Sequence, residues 1–141
     1  MLEIRPVIET DYDAILDLWN RTGLHHEPHR RDSLSAFQQQ LRHYGDCTLI
    51  AEANGKVIGS LIGTHDGRKG LINRLAVDPD FQKQGIARRL IEAAEHSFRS
   101  KGIEIITALV AVSNLPSQMT FTKSGYVART DVIYFRKELK S

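Results

Sequence analysis

The chain has 141 residues, 41% of them apolar and 26% charged, with a formal net charge of +2. That length is enough for one substantial core, so the reading is a single domain over residues 1–141 of ordinary soluble composition. Lys and Arg total 19 against 17 acids and aromatics are 7%, which leaves neither the basic field nor the stacking array of a nucleic-acid binder, even with a pI near 8.8. The single cysteine, Cys47, excludes an internal disulfide, and no run approaches the ~20 apolar residues that span a bilayer. The opening MLEIRPVIE carries acids and no long apolar run, so no signal peptide is expected and the protein reads as cytoplasmic, without a nucleic-acid or membrane partner.

In chain order, Leu2, Ile4, Val7 and Ile8 read as a first strand, which Pro6 confines to an edge or a strand end. Thr10 to Asp13 reads as a helix start capped by Thr10, with Ile15, Leu16, Leu18 and Trp19 as its apolar face and Gly23 as its stop. Trp19 is expected in the core or in a pocket wall. Residues 24–32 form a polar connection holding His25, His26, His29, Arg30 and Arg31. Ser33 or Ser35 then caps a second helix, with Leu34, Phe37 and Leu41 inward and Gln38 to Gln40 outward. Residues 47–53 and 56–64 are strands joined by Asn54-Gly55, a strong hairpin signal, and a looser turn over 66–70 leads to a central strand, 71–77.

Asp78-Pro79-Asp80 ends that strand, and Gln82-Lys83-Gln84-Gly85-Ile86-Ala87 leads into a helix over 88–95 with Leu90, Ile91 and Ala94 at helical spacing. Amides at a helix N-terminus have no intrahelical partner, and the helix dipole makes that end an anion site. Gly85 and Ala87 leave the approach clear, and Lys83, Arg88 and Arg89 add positive charge. Residues 100–102 close the helix. Residues 103–112 read as a buried strand, Asn114 opens a last helix that Gly125 ends, and Val127 and 132–139 read as closing strands.

Leu75-Ala76-Val77-Asp78-Pro79 followed by Gln82-Lys83-Gln84-Gly85-Ile86-Ala87 resembles the acetyl-CoA-binding motif of the GNAT superfamily of N-acetyltransferases. The hairpin AEANGKVIGSLIG resembles that family's second and third strands, and the order of elements matches from first strand to last. GTHDGRKG resembles a small bacterial subgroup. The resemblance implies an α/β (α+β) fold, a mixed and mostly antiparallel sheet flanked by about four helices. It also implies that Gln82, Lys83, Gln84, Gly85, Ile86, Ala87 and Arg88 hold the pyrophosphate of acetyl-CoA. The backbone of Leu75, Ala76 and Val77 would align the thioester, and Asn114 would contact the pantetheine arm. The family's general-acid tyrosine corresponds to Phe121, which can wall the thiol channel but donates no proton.

Transfer of an acetyl group to an amine requires a deprotonated amine, and a free lysine amine with pKa ~10.4 is nearly all protonated at neutral pH. The family's usual glutamate corresponds to Asn73, which can orient a water but is no base. Its neighbour Arg74 is expected on the opposite face. His26, with its neighbours His25 and His29, is the obvious recruit as a base, and Tyr134 or Tyr126 as an acid. No metal-ligand spacing is present, so no metal is expected. The reading is therefore an acetyl-CoA-dependent N-acetyltransferase working by direct attack of a primary amine on a small molecule, amino acid or protein. The alternative is a non-catalytic acyl-CoA-binding or sensing protein, which explains Phe121 and Asn73 together. An exposed edge strand at 132–139 would invite pairing into a homodimer.

Overall fold

The computed structural model describes residues 1–139. Asn54 and Gly55 hold left-handed φ values of 53° and 79°, the pair that a two-residue hairpin turn demands. They join β2 (Thr48–Ala53) to β3 (Lys56–His65). β1 (Leu2–Pro6) pairs antiparallel with β2, and β4 (Lys69–Val77) antiparallel with β3. β5 (Ile105–Ala108) lies parallel to β4 and completes a five-stranded sheet in the order β1-β2-β3-β4-β5. Pro6 ends an edge strand, where its missing N–H breaks no interior ladder.

Helices cover both faces. On one, Ile15, Leu18 and Trp19 of α1 (Tyr12–Thr22) and Phe37 of α2 (Leu34–Tyr44) pack with Val57 and Ala76 of the sheet. On the other, Leu90, Ile91, Ala94 and Phe98 of α3 (Ile86–Arg99) pack with Leu49, Ala51 and Ile58, and Phe121 of α4 (Leu115–Lys123) joins them. Close packing on this side needs bare backbone. A Cβ on Gly63 would lie 2.6 Å from the Cys47 carbonyl oxygen, and one on Gly70 would lie 3.0 Å from the Phe98 ring.

Local chemistry shifts several boundaries from those expected. A 3₁₀ turn over Glu9–Asp11 precedes α1, so Asp11 and not Thr10 stands at its cap position. The Asp11 carboxylate accepts from both terminal guanidinium nitrogens of Arg5 at 2.9 and 3.0 Å and from the Ile8 N–H at 2.8 Å. Ser33 caps α2, accepting from the Ala36 N–H at 3.2 Å. Leu34 is exposed at the first position of that helix, whereas Gln40 turns inward, because its amide finds two acceptors, Thr48 Oγ1 and the Gly63 carbonyl. α3 starts at Ile86, earlier than expected, since the left-handed Gly85 (φ 79°) already turns the chain into the helix.

The largest correction concerns the end of the sheet. β5 is four residues long rather than a buried strand over 103–112, and Ile105 and Leu109 are 54% and 53% exposed. The closing strands expected at Val127 and over 132–139 do not form: residues 127–139 carry no strand. A strand needs a ladder partner, and this segment makes no backbone hydrogen bond to β5. Its apolar residues stand open, Ile133 at 79% and Phe135 at 86%. Glu138, held below the usual carboxylate range by Arg136 and to a lesser degree by Arg30 and Arg31, brings the end of the tail near the connection between α1 and α2.

Candidate active site

The site is organised by one extra residue in β4. Ser60 pairs with Ala76, but Ile62 pairs with Asn73, so the ladder slips by one position between them. Arg74 takes up the slack at φ 51°, a left-handed conformation unusual for a long side chain. Buried groups hold it there: the Trp19 indole donates to Ser60 Oγ at 2.9 Å, and Ser60 Oγ donates to the Arg74 carbonyl at 2.8 Å. The slip cancels the strand's alternation. Arg74 consequently does not face away from Asn73, as expected from a two-residue period, and both line one cleft of about 260 Å³.

Trp19, Phe37 and Ile62 supply the apolar wall of this cleft, and Asp32, Gln40 and Asn73 supply polar groups. The Arg74 guanidinium lies 5.7 Å from the Trp19 ring centroid and donates to Asp32 Oδ2 at 2.9 Å. Asp32 Oδ2 also accepts the Glu27 N–H at 2.8 Å, and the Asp32 carbonyl accepts the Tyr12 hydroxyl at 2.8 Å. The connection between α1 and α2 is thereby tied to the bulge. Arg74 Nε is buried without a hydrogen-bond partner.

His26 is half-buried and meets Trp19 edge-on, ring centroids 5.5 Å apart. Its Nδ1 lies 2.9 Å from the Leu24 carbonyl. A carbonyl only accepts, so Nδ1 carries the proton and the neutral ring keeps its lone pair at Nε2. His25 and His29 are exposed, and Arg30 and Arg31 both bind the Glu27 carboxylate. Among the described residues no group of three or more His, Cys, Asp or Glu side chains is arranged to hold a metal ion.

Beside the bulge the sheet opens. β4 and β5 pair only from Lys69 to Ile72, so on that side Leu75, Ala76 and Val77 have no strand opposite them. The chain then passes Asp78, whose carboxylate accepts from the Asp80 N–H and from Arg21 Nε at 3.0 Å, and turns through Lys83 (φ 64°) and Gly85 into α3. No side chain caps the helix, and no described group accepts from the N–H of Ile86, Ala87 or Arg88. A Cβ at Gly85 would meet nothing within 4 Å, so the space in front of these amides is open. Gln82, Lys83, Gln84 and Arg88 surround it with exposed side chains, Arg88 pairing with Glu92 at 3.2 Å. Uncapped amides, open space and flanking positive charge fit a diphosphate.

The remaining expected site residues are more scattered. Asn114 caps α4, its Oδ1 accepting from the Ser117 N–H at 3.2 Å. Phe121 is buried against Tyr126, ring centroids 5.1 Å apart. The Tyr126 hydroxyl donates to Glu95 at 2.8 Å, and burial together with that carboxylate pushes its pKa up. Tyr134 sits on the exposed tail and is not among the residues lining the cleft. Burial pushes the Cys47 thiol up to about 11, which suits packing rather than attack.

The family model for the acetyltransferase (GNAT) family matches residues 12–126. The chain belongs to the GNAT acetyltransferase family. An acetyltransferase of Pectobacterium atrosepticum is 34% identical over 113 residues, 80% of this chain and 79% of that protein. Among solved structures, this GNAT chain is similar to AAC(6')-Iy in complex with the bisubstrate analog CoA-S-monomethyl-acetylneamine, at TM-score 0.79 and 23% identity over 99% of each chain. It is also similar to the PaiA N-acetyltransferase of Thermoplasma acidophilum in complex with coenzyme A, at TM-score 0.76 and 19% identity over 87% of each. At those identities the structural likeness bears on the fold alone. Sequence reasoning missed the roles of Arg74, Asp32 and Ser60, for a bulge leaves no periodic signal; the weak hint was a serine inside the apolar run of β3.

Proposed function

We propose that this GNAT chain is an acetyl-CoA-dependent N-acetyltransferase that accepts a primary amine in the cleft beneath Trp19 and Arg74. The observation that carries this reading is the uncapped N-terminus of α3, with open space before Gly85, following directly on a stretch of β4 that has lost its neighbour. Acetyl-CoA supplies an acetyl group activated as a thioester. The N–H groups of Ile86, Ala87 and Arg88 bind its pyrophosphate, with Gln82, Lys83, Gln84 and the Arg88 side chain around it. Leu75, Ala76 and Val77 offer backbone groups to the pantetheine arm and an N–H to the developing oxyanion, a preorganised donor of the kind that favours acyl transfer. Asn114 contacts the arm, and Phe121 backs the channel from the core.

Attack is direct, because the chain's single thiol is buried and held protonated. Asn73 orients a water in the cleft, and His26, which meets Trp19 but does not itself line the cleft, takes the amine proton at Nε2 through water. With Phe121 at the position of the family's general acid, catalysis leans on positioning, which supplies a large share of the acceleration in such transfers. The acceptor is a small amine, an amino acid or a protein amino group.

Calorimetric titration with acetyl-CoA, on the natural chain and on Gly85→Glu, tests the cofactor site. The glutamate sets bulk and negative charge where the pyrophosphate belongs. Saturable binding by the natural chain and none by a folded variant is the expected result; no binding by the natural chain refutes the proposal. An amine panel read by free thiol release follows. Binding without turnover of any amine would favour the acyl-CoA-sensing reading, which Asn73 in place of a carboxylate supports.

A further inference from the structure

We infer that the acceptor is an amino-acid-sized amine carrying a carboxylate, and that Arg74 selects it by binding that carboxylate in the cleft. The inference rests on the proposed transferase reading and narrows it to one acceptor class. Unused donors on a half-buried guanidinium carry it. Arg74 and Arg5 are similarly buried, their side chains 21% and 23% exposed. Arg5 is well satisfied: its terminal nitrogens donate to the Pro6 carbonyl, to both Asp11 oxygens and to Glu52. A guanidinium has five N–H donors, and among the described residues Arg74 uses one, from Nη2 to Asp32. Its Nε is buried without a partner, and its Nη1 is neither bonded nor buried.

Taking a guanidinium out of water with so few bonds is unfavourable, and the left-handed φ of 51° adds backbone strain. The fold enforces that strain through the Ser60 hydroxyl on the Arg74 carbonyl. What the strain delivers is a cation with open donors lining a cleft, rather than one more closed ion pair.

Charge, shape and size then choose the ligand. Arg30 and Arg31 share Glu27, Arg74 holds Asp32, and Arg136 holds Glu138 near Arg30 and Arg31. Four guanidiniums thus face three carboxylates in this linked group. One further carboxylate balances it, whereas a phosphate dianion would overshoot. A carboxylate also matches the planar fork of a guanidinium. At about 260 Å³ the cleft is smaller than the ~300–1,000 Å³ of drug-sized sites, and Trp19, Phe37 and Ile62 form its apolar wall, so an amino acid with an apolar body fits. Leu75, Ala76 and Val77 follow Arg74 directly, so a short acceptor held at the guanidinium keeps its amine near the backbone that would align the thioester.

Calorimetric titration tests this on the natural chain, with and without coenzyme A, which has no acetyl group to transfer. The probes are leucine, phenylalanine and β-alanine, each beside its primary amide. At least one acid should bind about 10–100-fold more tightly than its amide, the span expected of hydrogen bonds to a charged group. Arg74→Gln should bring that ratio close to one, and Arg74→Lys, which keeps the charge without the fork, should retain part of it. Turnover with acetyl-CoA should show the same preference, carried by KM rather than kcat. If no acid binds better than its amide, or if the preference survives Arg74→Gln in a folded protein, the inference is overturned. Should the Arg74 variants not fold, the acid-to-amide ratio of the natural chain decides alone. Acid binding without acetyl transfer would support the carboxylate site and refute the transferase reading; transfer to acids and amides alike would do the reverse.

Discussion

At the scale of single residues, the site depends on what a side chain's neighbours leave it free to do. The Leu24 carbonyl fixes which His26 nitrogen carries the proton, and Trp19 holds the ring edge-on. His26→Gln keeps the size and the hydrogen bond but removes the base. With the proposed role, kcat should fall by about 100-fold, within the range for a lost general base, with little change in the KM for acetyl-CoA. An unchanged kcat would move proton removal to a water at Asn73. Residue identity also suits Cys47, the only thiol, to the core, where its sulfur lies within hydrogen-bond reach of the Tyr44 and Gly63 carbonyls.

At the scale of elements, the bulge in β4 does the positioning. A continuous ladder would send Arg74 to the opposite face; the extra residue delivers it to the cleft and, with the end of pairing to β5, opens the strand where Leu75, Ala76 and Val77 lie. Ser60 is the hinge pin of this arrangement. Ser60→Ala would leave the Trp19 indole N–H without its acceptor and the Arg74 carbonyl without its donor, both in a water-poor setting. Each unsatisfied group costs about 1–3 kcal/mol, so a loss of about 3 kcal/mol in urea unfolding is expected, with activity falling more than stability alone explains. Ser60→Thr, which keeps the hydroxyl, should restore most of the lost activity. A Ser60→Ala protein of natural stability and activity would show that the bulge holds without the bond.

At the scale of the whole molecule, two carboxylates tie helices to the sheet. Asp11 joins Arg5 of β1 to the start of α1, and Asp78 joins Arg21 of α1 to the end of β4. Burial alone would raise their pKa values, but for Asp11 the Arg5 pair and the Ile8 N–H outweigh it, and for Asp78 the Asp80 N–H with Arg21 and Lys56 does so. Both therefore titrate below their unfolded values, near 3.9. The stability they contribute is fully present above about pH 4 and is lost as pH falls through their folded pKa values, because the unfolded chain then binds more protons. Urea midpoints should be level from about pH 7 to 5 and fall below about pH 4, and Asp78→Asn should flatten part of that fall. A midpoint that declines steadily from pH 7 would mean that other groups control acid stability.

Hydrophobic period, turn chemistry and one glycine-bearing loop are properties of neighbouring residues, so they could be read directly from the chain. They account for the Asn54-Gly55 hairpin, the Gly23 stop and the glycine-bearing loop that begins at Gln82, whereas the sheet flanked by helices followed from the family resemblance. The resemblance carried by Leu75 to Ala87 likewise survives as the family to which the chain belongs. What the tertiary structure alone decided depends on partners distant in sequence. Arg74 joins Asn73 because Ser60 and Trp19, far along the chain, stabilise an extra residue. Gln40 points inward because Gly63 needs a donor. The apolar tail around Ile133, which reads as a strand by any local rule, stays unpaired because a strand exists only where another backbone is present to bond with it.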